Sequence, residues 1–167
     1  MNIGLIVYSK SGNTRQIAEK MKITFEEQDH EVELISINPE KQPGFFKAVW
    51  SAIRQKTLPI TNDSLDVSSY DIVFIGNPVW AGKPAPFIKT MLEKTIGFDG
   101  KKTAVFITCG GGEKPGSDVI ELMKSYAQKK GADVMDDSLI VHMNRKGEIK
   151  KEIPSVESFV STVAKSK

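Results

Sequence analysis

The chain has 167 residues with 23 basic and 21 acidic side chains, a formal net charge of +2. This length is that of one domain, and a balanced, dispersed charge gives no indication of a nucleic-acid partner. The single cysteine, Cys109, excludes an internal disulfide and a cysteine metal cluster. No apolar run approaches membrane-spanning length. We therefore expect one cytoplasmic domain over residues 1–167, without membrane insertion.

Strand-like and helix-like segments alternate along the chain. Runs of consecutive apolar and β-branched residues predict strands buried on both faces at 3–8, 32–37, 71–76, 103–109 and 138–142. Apolar residues at helical spacing, around Ile17, Phe87, Val119 and Val156, predict helices that cover the sheet. This alternation predicts an α/β three-layer sandwich with a five-stranded parallel sheet, commonly in the order 2-1-3-4-5.

The longest connection, residues 38–69, contains another helix pattern, formed by Phe45, Phe46, Val49, Trp50 and Ile53. Aromatic residues at this spacing are typical of a helix that packs on the core. We expect these side chains to be buried.

The loop after the first strand is rich in hydroxyl groups and opens into a helix. Its residues are Ser9, Lys10, Ser11, Gly12, Asn13 and Thr14. Hydroxyl donors, a glycine that admits close approach and the free N–H groups of a helix N-terminus together favour a phosphate. Neither G-x-x-x-x-G-K-[ST] nor G-x-G-x-x-G occurs, so a mononucleotide is the leading ligand. The alternative is that Ser, Asn and Thr only cap the helix.

The loop after the third strand, residues 77–84, places a tryptophan between prolines. A planar ring can stack on an exposed indole, although the indole could instead fold back over the sheet edge. The candidate ring contacts are Pro78, Val79, Trp80, Ala81, Gly82 and Lys83.

The loop after the fourth strand, residues 109–116, contains three consecutive glycines. Such a segment can run flat against a ligand, or it can be only a flexible connection. Its candidate ligand contacts are Cys109, Gly110, Gly111, Gly112 and Glu113. Because ligands bind beyond the carboxyl ends of parallel strands, at the point where the strand order reverses, the three loops should converge.

These segments resemble the flavodoxin family. Residues 9–14 are similar to its T/S-x-T/S-G-N-T phosphate loop, and residues 77–84 are similar to its first ring-contacting loop. The resemblance implies a flavodoxin-like fold and non-covalently bound FMN. By analogy, Ser9, Ser11, Gly12, Asn13 and Thr14 would hold the phosphate, Trp80 would pack on the isoalloxazine, and residues 109–113 would line its pyrimidine side.

The chain also departs from the acidic electron carriers of that family. It is slightly basic and places Lys83 and Lys114 in the ring loops. The Gly-Gly-Gly-Glu sequence resembles flavodoxin-like NAD(P)H:quinone oxidoreductases instead. We expect an FMN-dependent electron carrier that serves redox partner proteins. The alternatives are an NAD(P)H-dependent quinone or flavin reductase and a flavin-free domain that binds another phosphate or a protein.

The remaining polar residues suggest no catalytic or metal site. Cys109 is predicted to be a small core residue, and His30 and His142 lie far apart without a carboxylate at ligand spacing. Asp136 and Asp137, like the charged residues 145–152, are predicted to lie in solvated loops.

Overall fold

The computed structural model describes residues 1–54, 56–110, 114–144 and 146–165, without the side chains of residues 45, 114 and 115. Its elements in chain order are β1 (Asn2–Val7), α1 (Asn13–Glu26), β2 (Glu31–Ser36), α2 (Phe45–Ile53), β3 (Leu65–Asp66), β4 (Ile72–Trp80), β5 (Lys83–Pro84), α3 (Phe87–Lys94), β6 (Thr95–Ile96), β7 (Lys102–Cys109), α4 (Lys114–Gln128), β8 (Asp133–Met143), β9 (Ile149–Ile153) and α5 (Val156–Lys165).

The central sheet has seven strands. Its order is β2-β1-β4-β7-β8-β9, with β5 paired to β4. The first five of these strands are parallel and follow the predicted order. The predicted number of five strands is wrong, because β5 and β9 form two additional antiparallel pairs. Neither strand contains the run of apolar residues from which the others were predicted. A separate two-stranded sheet joins β3 to β6.

Two predicted loops are parts of strands. Strand β9 lies in the charged segment 145–152 and pairs with β8, with Lys150 and Lys151 exposed. Lysines on an edge strand discourage pairing with other chains. Asp136 and Asp137 are exposed in β8, where the pairing with β7 shifts register. Both segments are largely solvated as predicted, but Asp136 and Asp137 lie in a strand, and of the described residues of the charged segment only 146–148 form a turn.

Helices cover both faces of the sheet, which confirms the predicted sandwich. On one face α1 and α5 pack on the sheet through residues such as Met21, Phe25 and Phe159. On the other face α3 and α4 pack through residues such as Phe87, Ile88 and Met123. Within the described residues, no helix combines the length and apolar composition needed to cross a membrane.

Helix α2 is present, but the prediction that its aromatic residues are buried is wrong for Phe46 and Trp50, and the side chain of Phe45 lies outside the described residues. Its small residues Ala48, Ser51 and Ala52 are buried, whereas Phe46 and Trp50 are exposed. Helical spacing identifies an apolar face without saying which way that face points.

Strand β4 continues through the segment predicted as a loop. It ends at Trp80 and turns through Ala81 and Gly82 into β5, with Trp80 opposite Lys83. Both turn residues have positive φ, 48° and 73°, as two-residue hairpins prefer. The hairpin therefore holds Trp80 on regular structure instead of a free loop.

Candidate functional site

The N-terminus of α1 is available for a ligand. Gly12 precedes the helix at φ 88°, and no side chain caps the helix. The first helical hydrogen bond runs from the Gln16 N–H to the Gly12 carbonyl at 2.8 Å. The N–H groups of Asn13, Thr14 and Arg15 precede that bond and have no partner within the helix. The geometry therefore does not support the alternative of a simple helix cap.

The hydroxyl groups of this loop differ in their surroundings. Ser9 Oγ is buried and has no hydrogen-bond partner among the described residues. A buried hydroxyl in that state costs about 1–3 kcal/mol. Thr14 Oγ1, by contrast, lies 2.8 Å from Thr108 Oγ1, and both side chains are buried. Thr14 therefore joins α1 to β7, while Ser9 retains its hydrogen-bonding capacity.

A cavity of about 310 Å³ lies beside this N-terminus, at the carboxyl ends of β4, β7 and β8. The three predicted loops meet there. Its predicted lining residues are Ser11, Asn13, Pro78, Val79, Trp80, Cys109 and Gly110. Thr108, Met143 and Asn144 also line it, and sequence reasoning missed all three. Met143 and Asn144 directly follow the predicted fifth strand, 138–142, so its carboxyl end could have identified them.

Other predicted residues lie outside this cavity. Lys10 and Ala81 line a second cavity. Gly82 and Lys83 form the hairpin turn and its return strand, and they line neither of these cavities. The predicted contacts Gly111, Gly112 and Glu113, together with the Lys114 side chain, lie outside the described residues.

Trp80 both packs on the core and lines the cavity. Its ring centroid lies 5.7 Å from that of Tyr8 and 6.2 Å from that of Phe87, with nearly perpendicular planes. Lys10 Nζ lies 5.4 Å from the Trp80 ring centroid. Beneath the indole, burial raises the pKa of Tyr8 to about 12, and its hydroxyl donates to Gln42 Oε1. Trp80 thus packs on the core, as one alternative predicted, and it also lines the cavity in which a planar ring could reach it.

Asn77 fixes the base of the hairpin. The side chain is buried, and its Nδ2 donates to the Ala85 carbonyl at 3.1 Å. The Ala85 N–H in turn donates to the Pro78 carbonyl. Asn77 Oδ1 is buried without a partner among the described residues. These bonds hold Pro78, Val79 and Trp80 against the cavity.

Cys109 and His142 form a buried pair that sequence reasoning missed. They are register partners on β7 and β8, and Cys109 Sγ lies 3.4 Å from His142 Nδ1. Cys109 also lines the cavity. The predicted strands 103–109 and 138–142 end at Cys109 and His142, and these neighbouring strand ends could have indicated the contact. Among the described residues, no three His, Cys, Asp or Glu side chains are grouped so as to hold a metal ion.

The turn between β8 and β9 forms the wall next to Asn13. Asn144 Oδ1 accepts from the N–H groups of Lys146 and Glu148 at 2.9 and 3.0 Å. A Cβ atom on Gly147 would lie 3.2 Å from Asn13 Oδ1. The Asn144 side chain thereby holds the turn close to the start of α1.

Parallel strands in this order, with a hydroxyl-rich loop before α1 and a cavity at the strand ends, define a flavodoxin-like protein. Residues 1–145 match the family model of the NADPH-dependent FMN reductases. The chain belongs to that family, which binds FMN. The predicted family resemblance and the predicted cofactor are thereby confirmed.

Solved structures agree with this assignment. A flavoprotein from Lactobacillus acidophilus NCFM, in complex with FMN, is 27% identical, with 83% of this chain and 90% of that chain covered and a TM-score of 0.62. Oxidised flavodoxin 2 from Bacillus cereus shares the fold over 100% of both chains, at 20% identity and a TM-score of 0.66. No curated protein matches the chain significantly. The family favours the reductase alternative over the electron carrier that was the main expectation.

Proposed function

We propose that this chain is an NADPH-dependent flavin or quinone reductase that holds FMN in the cavity of about 310 Å³. One observation carries the proposal: Ser11 and Asn13, at the uncapped N-terminus of α1, line the same cavity as Trp80. The loop before that helix also holds the buried Ser9 hydroxyl, which has no partner among the described residues. FMN has a group for each of these features: an anionic phosphate for the helix N-terminus and a planar isoalloxazine ring for the indole. The family match supports NADPH as the reductant.

The phosphate would bind at the loop that precedes α1. Ser9 and Ser11 can donate hydroxyl hydrogen bonds, and the first N–H groups of the helix add donors and a favourable dipole. Gly12 supports this arrangement because nothing lies within 4 Å of the Cβ position there, and its φ of 88° suits glycine. Thr14 would contribute its N–H, while its hydroxyl lies 2.8 Å from the hydroxyl of Thr108.

The ring would bind between Pro78–Trp80 on one strand end and Cys109–Gly110 on the next. FMN held there would supply the hydride and electron transfer chemistry. The chain's own contribution is to hold the ring, to exclude water from its buried side and to present polar groups to its edge. The tethered hairpin makes this wall rigid before the ring arrives, which lowers the entropic cost of binding.

An anaerobic titration of the FMN-loaded protein tests the proposed function. Addition of NADPH should bleach the visible flavin band, and a quinone added afterwards should restore it. NADH at the same concentration is the comparison. If NADPH leaves the band unchanged while dithionite bleaches it, the chain is an electron carrier and the proposed reductase activity is wrong.

Replacing Trp80 tests the ring contact. Trp80→Ala should weaken FMN binding by about 1–3 kcal/mol, the scale of stacking a planar ring on an aromatic side chain. Trp50→Ala is the matched control, because Trp50 lies on α2 and does not line the cavity. Trp80→Phe should restore part of the affinity. If Trp80→Ala binds FMN as tightly as the wild type, the indole serves only to pack on Tyr8 and Phe87.

A further inference from the structure

The outward side of α2 carries a ridge of large apolar side chains. Phe46, Trp50 and Ile53 are 87%, 54% and 52% exposed. They follow one another at i, i+4 and i+7, so they lie along one face of the helix. The buried side of α2 consists of Ala48, Ser51 and Ala52. We call the ridge and its charged surroundings the α2 face. A ridge of this size on a folded protein indicates an interaction site.

The chain segment that carries the ridge, between Glu40 and Asp63, has charges of one sign. Between residues 41 and 62 the chain has four cations, Lys41, Lys47, Arg54 and Lys56, and no carboxylate. The Arg54 guanidinium carbon lies 4.0 Å from the Trp50 ring centroid. The α2 face is therefore an apolar ridge with a basic rim, on a chain whose overall charge is only +2.

Val49 connects the α2 face to the wall of the cavity assigned to the cofactor, because it lines a surface pocket with Phe46 and Trp50 and also a cavity beside Trp80. A second cavity of about 270 Å³ separates α2 from the β4–β5 hairpin. Its lining includes Ala48 and Val49 of α2, Val79 and Trp80 of β4, and Lys10. Val79 and Trp80 line the first cavity as well. A molecule seated on the α2 face would thus approach the outer side of the wall that faces the proposed flavin.

We infer that the α2 face docks an acidic protein that accepts electrons, one that presents an apolar groove edged with carboxylates. This inference rests on the proposed function. Anchors at i, i+4 and i+7 are the pattern with which a helix fills a groove. Trp and Arg are the residue types that dominate binding energy at such interfaces. Carboxylates around the groove would complement Lys47, Arg54 and Lys56 and speed the encounter.

Other occupants fit these observations less well. A second copy would place its own basic rim against Lys47, Arg54 and Lys56, so like charges would oppose a symmetric dimer. An anionic bilayer would match the charge, but it offers no groove for anchors spaced at i, i+4 and i+7 to fill. Neither of these occupants makes use of the adjoining cavity wall at Trp80.

The test uses FMN-loaded protein that has been reduced with dithionite and freed of excess reductant, with an acidic soluble cytochrome b5 domain as the acceptor. Two ferric haems gain one electron each for every reduced FMN that is reoxidised, and the protons released pass to water. Stopped-flow absorbance measures this rate, and a neutral, water-soluble quinone serves as the small acceptor. Because the flavin is reduced chemically, the result does not depend on whether NADPH is the reductant.

We expect Trp50→Ala, and separately Lys47→Glu with Arg54→Glu, to slow haem reduction at least tenfold. Raising the ionic strength should slow the wild type as well, since screening weakens the attraction between the basic rim and the acidic probe. Reduction of the quinone should not change. Ile23→Ala is the matched control, since Ile23 is 57% exposed on α1 and lies outside the α2 face.

Several results would overturn the inference. Equal haem-reduction rates in the wild type and both α2 variants would do so, as would a rate that salt leaves unchanged. Sedimentation with phosphatidylglycerol vesicles that is lost in Trp50→Ala would assign the face to membranes, and a Trp50-dependent dimer would assign it to a second copy. Failure to bind FMN would refute the proposed function instead, and co-sedimentation of the apoprotein with cytochrome b5 would then decide the docking question.

Discussion

FMN should bind this chain at least about 100-fold more tightly than riboflavin, because the phosphate supplies the acceptor that the start of α1 lacks. The N–H groups of Asn13, Thr14 and Arg15 have no partner within the helix, and Ser9 Oγ is buried without one among the described residues. A hydrogen bond to a charged group contributes about 1.5–3 kcal/mol net. Two such bonds already account for a factor of about 100, at about 1.4 kcal/mol for each tenfold change.

Removing one hydroxyl group tests whether the difference in affinity between FMN and riboflavin arises at the loop before α1. Ser9→Ala should weaken FMN binding by about tenfold, one charge-assisted hydrogen bond, and leave riboflavin binding unchanged. Ser158→Ala on the exposed surface of α5 is the matched control. Fluorescence titration gives all the dissociation constants. Equal affinities of the wild type for FMN and riboflavin would contradict the phosphate assignment, whatever the ring contributes.

Most of the fold could be predicted from the sequence because its central strands are buried on both faces. Residues such as Leu5, Phe74 and Phe106 lie in continuous apolar runs that few other structures accommodate. The strands that were missed have no such signal. Strand β9 reads Ile-Lys-Lys-Glu-Ile and is an edge strand that is largely exposed, so its composition is that of a solvated segment. Only its partner β8 determines that it is a strand.

The position of a candidate site residue could be predicted where its side chain lies directly at or after the end of a strand. Ser9 and Trp80 are examples, since the start of α1 and the end of β4 fix where each of them lies. Contacts between distant residues could not be read in the same way. The pairing of Cys109 with His142 depends on the register of β7 against β8, and that register shifts between Thr103 and Val105. The orientation of α2 was unpredictable for another reason, because both of its faces carry apolar residues.

Gly76→Ala should destabilise the fold by about 3 kcal/mol, at the upper end of what inserting one methyl group into a packed core costs. A Cβ atom on Gly76 would lie 2.2 Å from Phe106 Cζ, and Cε1 and Cε2 would lie 2.6 and 2.7 Å away. The Phe106 side chain is fully buried and packs in the core that α1 and α5 cover, so its ring has no free space to enter. The strain would fall on β4, immediately before the Asn77 side chain that tethers the hairpin. FMN affinity should therefore decrease together with stability.

Three further variants, Gly44→Ala, Phe106→Leu and the double variant, separate this clash from a general effect of alanine. Gly44→Ala should destabilise the fold by only about 1 kcal/mol or less, because nothing lies within 4 Å of its Cβ position and its φ is −61°, so that only the loss of the glycine N-cap of α2 contributes. Phe106→Leu combined with Gly76→Ala should be less destabilised than the sum of the two single changes, since the smaller side chain leaves room for the methyl group. Urea unfolding of the apoproteins measures all four variants. If Gly76→Ala is as stable as the wild type, the Phe106 ring does not press on β4, and the rigidity of the wall that carries Trp80 must come from the hairpin bonds alone.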